Sequence, residues 1–167
     1  MRWWDIPTVH AIEQVLFPVD PWTVDMFWSE LAGVPATREV IVAECQSGSQ
    51  NENESLLSPA QQKATNQQST EHSVIAGYAS LRIVGEEADI NTIAVAPEYQ
   101  SCGLGRTMYR YLETIAKDRQ VRVIYLDVRA DNDVAHNFYK SEGFEDIDIR
   151  RNYYESTVDA IVMRKKL

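Results

Sequence analysis

The sequence predicts one α/β (α+β) domain with about six to seven strands and about four helices. Two observations support this fold class. Strand-like apolar runs are interspersed with runs that have helical periodicity, and an apolar run from Ile90 to Val95 passes through a glycine turn into a helix-like run ending near Arg119. A chain of 167 residues also fits one domain with a substantial core. We therefore expect residues 1–167 to form a single domain.

The first elements are predicted from local capping signals. Trp3 and Trp4 are expected to end a short first strand. Asp5 then follows as an N-cap, with Pro7 in the first turn of a helix that continues to about Leu16.

A connector rich in proline and aromatic residues ends this helix over residues 17–23. Thr23 is the expected N-cap of a second helix. Phe17 and Trp22 in the connector have two possible roles, because they can form a lip of a substrate site or fill the core between the two helices.

Two strands, residues 38–45 and 74–84, flank a polar segment. That segment, residues 46–73, is rich in Gln, Ser, Asn and Glu and nearly free of aromatics. Such a composition buries too little apolar surface to offset its ordering entropy. We expect a flexible insertion between two strands, with a transient helix near residues 58–68.

The C-terminal half continues with strands and helices. The predicted elements are a strand over 87–96, a helix from Leu104 to about Arg119, a strand over 121–128, a helix capped by Asp131 or Asn132 and running to Ser141, and strands over 144–150 and 158–164. Gly143 is expected just past the end of the fourth helix.

The glycine turn is Gln100-Ser101-Cys102-Gly103-Leu104-Gly105-Arg106. Unpaired backbone N–H groups at a helix N-terminus and the helix dipole favour an anion at this position. A dinucleotide fingerprint would need a third glycine at position 108, which is Met, and the Gly-Lys-Ser/Thr of a nucleoside triphosphate loop is missing. The turn therefore predicts a cradle for the pyrophosphate of another nucleotide-like cofactor.

Composition narrows the class of protein. The formal net charge of −9 argues against sequence-independent nucleic-acid binding, and it either favours a basic peptide or amine as partner or only serves solubility. No apolar run is long enough to span a membrane. Cys45 and Cys102 have neither a disulfide framework nor metal-ligand spacing. We expect a cytoplasmic protein without a metal.

The motif Gln100-x-x-Gly103-x-Gly105 resembles the acyl-CoA loop of the GCN5-related N-acetyltransferases (GNAT). The similarity extends upstream to Ile93-Ala94-Val95 and downstream to Tyr139-x-x-x-Gly143-Phe144. Within that superfamily, the connector at 17–22 and the stretches at 126–130 and 150–154 are similar to the RimI-type ribosomal-protein-alanine N-acetyltransferases.

The resemblance implies a fold, a co-substrate and an acceptor. It implies a central mixed, mostly antiparallel sheet, acetyl-CoA as co-substrate, and the N-terminus of a basic ribosomal protein as acceptor. Ile93, Ala94 and Val95 would pair with the pantetheine arm. The backbone of Ser101, Cys102, Gly103, Leu104, Gly105 and Arg106 would hold the pyrophosphate, with the Arg106 side chain either adding charge or lying on the surface. Asn132 would hydrogen-bond the pantetheine.

The resemblance also assigns chemistry to two residues. Asp127 would be the general base, working through water because the family usually has the longer Glu there. Its alternative role is a structural carboxylate paired with Arg129 or another base. Tyr139 would be the general acid, and its alternative is a core tyrosine on an amphipathic helix.

Two lips would flank the entrance for the peptide. They are formed by Phe17 and Trp22 on one side, and by Arg151, Tyr153 and Tyr154 on the other. The alternatives to N-terminal acetylation are acetylation of lysine side chains or small amines, and a non-catalytic module that binds acetyl-CoA.

Overall fold

The computed structural model describes residues 1–46, 73–155 and 157–167. Its helices are α1 (Ile6–Leu16), α2 (Val24–Ala32), α3 (Leu104–Asp118) and α4 (Asp133–Ser141), with 3₁₀ turns at Trp3–Asp5 and Pro97–Tyr99. Its strands are β1 (Arg38–Gln46), β2 (Ser73–Val84), β3 (Glu87–Val95), β4 (Val123–Arg129), β5 (Glu145–Tyr154) and β6 (Val158–Lys166). The predicted insertion and its transient helix lie outside the described residues, except that Gln46 and Ser73 pair with each other at the strand ends.

The six strands form one sheet in the order β1-β2-β3-β4-β6-β5. Every neighbouring pair is antiparallel except β3 and β4, which are parallel. The expected mixed, mostly antiparallel sheet is therefore confirmed. A parallel pair requires a crossover connection, and here α3 supplies it.

The predicted first strand is wrong, because Trp3–Asp5 is a 3₁₀ turn. The Asp5 carboxylate accepts a hydrogen bond from Arg2 N at 2.6 Å, and Asp5 N donates to the Arg2 carbonyl at 3.0 Å. These two local bonds bend the chain before it can extend. The described chain consequently has six strands.

The capping predictions for α2 and α4 agree with the structure, whereas Asp5 precedes α1 without a side-chain capping bond. Thr23 Oγ1 accepts from Met26 N at the start of α2, and Asn132, rather than Asp131, caps α4. Gly143 has φ of +93° just beyond α4, a conformation that glycine adopts without a Cβ penalty.

The last hairpin departs from the prediction. Strand β5 continues to Tyr154, past the predicted end at Arg150, because Tyr154 pairs again with Val158 after an irregularity in the ladder. The residues expected to form a loop are therefore held on the sheet.

Two hydrophobic clusters cover the two faces of the sheet. On one, which we call the α3 face, Tyr109 and Leu112 pack on alternate residues of the central strands, including Ile90 and Leu126. On the other, the α1/α2 face, Val9 and Phe27 pack on Tyr78 and Ala94 together with Ile6. Side chains alternate between faces along a strand. Tyr125 and Asp127, which alternate with buried residues of the α3 cluster, thus point to the α1/α2 face.

Candidate active site

Strands β3 and β4 separate halfway along their length. Their parallel ladder runs from Glu87↔Val123 to Ile90↔Leu126 and ends there. Strand β3 continues to Val95, paired with β2 alone, and β4 continues to Arg129, paired with β6 alone. In the described chain, no strand pairs with the β4-facing edge of β3 after Ile90, so its backbone groups can accept an extended ligand there.

A pocket of about 510 Å³ lies at this separation. It is lined by residues of the α1–α2 connector, β3, β4, β5 and β6: Asp20, Trp22, Asp89, Ile90, Asn91, Tyr125, Leu126, Asp127, Arg150, Tyr153, Tyr154 and Val162. Predicted site residues from three distant segments thus meet in one cavity.

Asp127 is a partly buried carboxylate of this pocket, with a side chain that is 22% exposed. Burial raises its pKa above the ordinary range, the Arg150 guanidinium 3.3 Å away lowers it, and the Asp89 charge raises it. Arg129, the ion-pair partner considered from the sequence, instead binds Asp131 and Glu155.

Tyr139 lies on α4 and packs against the α3-face cluster. Its ring contacts Phe138 and Phe144 edge-on, and burial raises the pKa of its hydroxyl. Tyr139 is therefore not among the pocket residues. Tyr154 acts on both residues, since its charge raises the pKa of Tyr139 and its hydroxyl donates to the Asp127 backbone carbonyl at 3.4 Å.

Trp22 contacts both the core and the pocket. Its ring lies 5.5 Å from that of buried Phe27, and it also lines the pocket. Its backbone N–H donates to Glu13 Oε1 at 2.9 Å, which fixes the connector to the buried end of α1. Phe17 is 38% exposed and does not line the pocket.

The second lip contributes Tyr153 and Tyr154, whose rings meet edge-on. Arg151 does not line the pocket, because its guanidinium pairs with Asp159 at 2.7 Å on the neighbouring strand. The arginine that reaches the pocket is Arg150. A change of one residue along a strand changes the face to which a side chain points.

The glycine turn, which is predicted to be an anion cradle, contains two residues with positive φ. Ser101 and Gly103 have φ of +61° and +86°, and Thr107 N donates to the Gly103 carbonyl as α3 begins. Nothing lies within 4 Å of the position where a Cβ on Gly103 would be. The N–H groups of Leu104 and its neighbours in the first turn have no intrahelical acceptor.

Side chains around the cradle connect it to the rest of the fold. Gln100 Nε2 donates to the Val95 carbonyl at 3.0 Å, and Cys102 Sγ donates to the Tyr99 carbonyl. The Arg106 guanidinium pairs with Glu142 at 2.6 Å and therefore joins α3 to α4.

Asn132 stands at the start of α4. Its Oδ1 accepts from Ala135 N at 3.0 Å, so a bond from this side chain to pantetheine would use Nδ2.

Sequence reasoning missed several pocket residues: Asp20, Asp89, Asn91, Tyr125, Arg150 and Val162. Some could have been found from the alternation of β4, where Tyr125 and Asp127 share a face, and from the polar positions that interrupt the apolar β3. Arg150 and Val162 required the register of β5 and β6, which the sequence does not encode locally.

Within the described residues, no three side chains of the types His, Cys, Asp and Glu come together as metal ligands. None of the described helices is long and apolar enough to cross a membrane. The His136 Nε2 lies 3.0 Å from Asp146 Oδ1.

Comparison with known proteins agrees with this geometry. Residues 25–144 match the Acetyltransferase (GNAT) family. A Bacillus subtilis protein, whose name assigns it provisionally as a ribosomal protein bS18-alanine N-acetyltransferase, is 31% identical over 164 residues, covering 98% of this chain and 90% of that protein. The Escherichia coli ribosomal protein bS18-alanine N-acetyltransferase is 42% identical over 101 residues, covering 59% of this chain and 68% of that protein.

Fold comparison gives the same result over the whole chain. The crystal structure of the ribosomal-protein-S18-alanine N-acetyltransferase from Escherichia coli matches with a TM-score of 0.73 and 28% identity, and the match covers 99% of this chain and 90% of that one. Enzymes of the matched family use acetyl-CoA as the acetyl donor. The chain therefore belongs to the GNAT family of N-acetyltransferases.

Proposed function

We propose that this enzyme transfers the acetyl group of acetyl-CoA directly to the N-terminal alanine amine of ribosomal protein bS18. The observation that carries the proposal is Asp127, a partly buried carboxylate with a raised pKa, in a pocket at the separation of β3 and β4. The similarity to enzymes named for bS18 supports the acceptor.

The residues present fit acetyl-CoA. The positive φ of Ser101 and Gly103 turns the loop so that α3 opens with free N–H groups, which suit a pyrophosphate. In the described chain, no strand pairs with the β4-facing edge of β3 through Ile93, Ala94 and Val95, so this edge suits an extended arm that pairs as another strand would. Acetyl-CoA supplies the acetyl group as a thioester.

Asp127 would accept the proton that the amine must lose. A peptide α-amine has an ordinary pKa of about 8, so near neutral pH it needs only a modest base. A carboxylate with a raised pKa holds a proton better than an ordinary Asp does. The short Asp side chain makes a water relay the expected path from the amine.

Tyr139 would supply the proton that the departing sulfur must gain. The raised pKa of its hydroxyl keeps the phenol protonated throughout the neutral range. Within the described residues this hydroxyl makes no hydrogen bond, so its proton is not committed to a protein acceptor. The amine would thus lose a proton to Asp127 as the N–C bond forms, and the sulfur would gain one from Tyr139 as the C–S bond breaks.

The charge of the pocket fits an ammonium group. Its lining includes three carboxylates, Asp20, Asp89 and Asp127, against one guanidinium, Arg150. The net charge of −9 would also favour encounter with the N-terminus of a basic protein. A ribosomal-protein acceptor places the proposed reaction in the cytoplasm.

The test is an acetyl-transfer assay on short peptides that copy the bS18 N-terminus and differ only in their first residue. Three of the peptides begin with Ala, Ser and Met, respectively. A fourth peptide is blocked at the α-amine and carries an internal Lys. We expect acetylation of the free Ala peptide and none of the blocked one. Turnover of the blocked peptide alone would refute N-terminal acetylation and would support a lysine acetyltransferase.

A further inference from the structure

Asn91 is an extra residue in strand β3. The β2–β3 ladder pairs Ser80 with Thr92 and Leu81 with Ile90, which leaves Asn91 without a partner on β2. This is a β-bulge, and a bulge redirects the side chain that it carries. The redirected side chain lines the pocket.

A buried carboxylate fixes the orientation of the Asn91 amide. Asn91 Nδ2 donates to Glu30 Oε2 at 3.2 Å. Glu30 is only 9% exposed, accepts from Arg38 Nε at 3.1 Å, and also accepts from the Ser80 hydroxyl. An ionised carboxylate paired with Arg38 can only accept, so the nitrogen of the amide must face Glu30. The oxygen, Oδ1, consequently faces away from α2.

The residue that carries this oxygen lies where the two strands separate. The parallel ladder ends at Ile90↔Leu126, and the next residue on each strand is Asn91 or Asp127. Both line the same pocket. Within the described residues, nothing donates a hydrogen bond to Asn91 Oδ1. A neutral acceptor, fixed in direction, therefore belongs to the same pocket as the proposed base, Asp127.

We propose that Asn91 Oδ1 accepts a hydrogen bond from the primary amine of the acceptor and holds that amine next to Asp127, with Glu30 as the positioning residue. This inference rests on the proposed acetylation of a primary amine. A neutral amine that donates one N–H to Oδ1 and the other to Asp127 has its lone pair directed elsewhere, and Asp127 takes the second proton as the N–C bond forms. A neutral amide also adds an acceptor without the further rise in the Asp127 pKa that another carboxylate would cause.

The test compares Asn91→Leu with Ser80→Ala, and Asn91→Ala serves as a second variant. Leu is similar to Asn in size but cannot accept or donate a hydrogen bond. Ser80→Ala removes a bond to the same Glu30 oxygen without touching the pocket. We expect Asn91→Leu to raise the KM for the peptide by about tenfold, the loss of roughly one hydrogen bond. The KM for acetyl-CoA should stay unchanged, and Ser80→Ala should change neither KM.

Glu30→Gln tests the positioning role. Its neutral amide cannot accept from Arg38, Ser80 and Asn91 together, so the Asn91 amide loses its fixed direction. We expect the KM for the peptide to rise by a smaller factor than in Asn91→Leu. A fall in melting temperature without that KM change would show that Glu30 is structural only.

Two results would overturn the assignment of Asn91. Equal changes of both KM values, together with a stability loss matching that of Ser80→Ala, would make Asn91 purely structural. An effect seen for one first residue but not for others would show that Asn91 contacts the side chain and not the amine. If the wild-type enzyme acetylated only lysine or small amines, the proposed acceptor would be wrong, while the same variants measured on that amine would still test Asn91.

Discussion

The Arg150 guanidinium lies 3.3 Å from the Asp127 carboxylate, joining the middle of β5 to β4. This contact opposes the effect of burial, because the positive charge favours the ionised carboxylate whereas burial disfavours it. The pKa of Asp127 remains raised on balance. Arg150 thus limits how far burial raises the pKa of Asp127, the proposed base.

Replacing Arg150 should move the pH dependence of the enzyme. Without the guanidinium, the Asp127 pKa rises further, and activity requires the ionised carboxylate. We expect the acidic limb of the kcat/KM profile of Arg150→Gln to shift to higher pH by on the order of half a unit, since Arg150 is half exposed and screened. Arg151→Gln is the matched control, because its partner is Asp159. If the acidic limb of the kcat/KM profile did not move in Arg150→Gln, the ionisation of Asp127 would not determine that limb.

Asp127→Asn should abolish most of the catalysis while leaving the donor site intact. Removal of a general base costs about 10²- to 10⁴-fold in rate. The cradle at Gly103 lies on another element, so calorimetry should give an unchanged affinity for acetyl-CoA. Wild-type turnover by this variant on the true substrate would exclude Asp127 as the base.

The same substitution should make the fold more stable at neutral pH. The folded-state pKa of Asp127 is raised, so its contribution to the free energy of unfolding is fully present below the ordinary carboxyl pKa and is lost as the pH rises through the folded value. Asn resembles the protonated form at every pH. The melting temperature of Asp127→Asn should be higher than that of wild type near pH 7. This difference in melting temperature should shrink toward pH 4. A variant less stable than wild type at pH 7 would contradict the raised pKa.

Tyr139→Phe should lower turnover without unfolding the protein. The ring keeps its packing with Phe138 and Phe144, and its hydroxyl has no hydrogen bond to lose in the described chain. We expect kcat to fall by about 10²-fold and the melting temperature to change little. Stopped-flow and thermal melts separate these effects. A large loss of stability with normal kcat would favour the role of a core tyrosine.

Gly103→Val should abolish acetyl-CoA binding, and Gly85→Val provides its control. Both glycines have positive φ, and an added Cβ would meet no atom within 4 Å at either. Each substitution should therefore cost a similar backbone strain of about 1–2 kcal/mol in thermal or denaturant unfolding. Only at Gly103 does the side chain occupy the space over the proposed cradle. Equal acetyl-CoA affinities in the two variants would rule out the loop as the pyrophosphate site.

The sequence predicted features that are stabilised by neighbouring residues. The caps at Thr23 and Asn132 and the glycine beyond α4 were predicted because each forms within one turn of its helix. The glycine loop was predicted for the same reason. The prediction of a first strand was wrong because hydrogen bonds between Arg2 and Asp5 close a 3₁₀ turn there. The two tryptophans in the sequence do not reveal these bonds.

What only the tertiary structure decided is which polar groups meet. Asp20, Asn91, Asp127 and Arg150 come from four separate segments and line one pocket because of the strand order and register. A shift of one position exchanges Arg150 for Arg151, and the bulge at Asn91 redirects one side chain, yet both depend on pairing with distant strands. Local sequence determines helices, turns and the proposed cofactor loop through short-range bonds. The proposed acceptor site is determined by long-range pairing, which sets the face to which each side chain points.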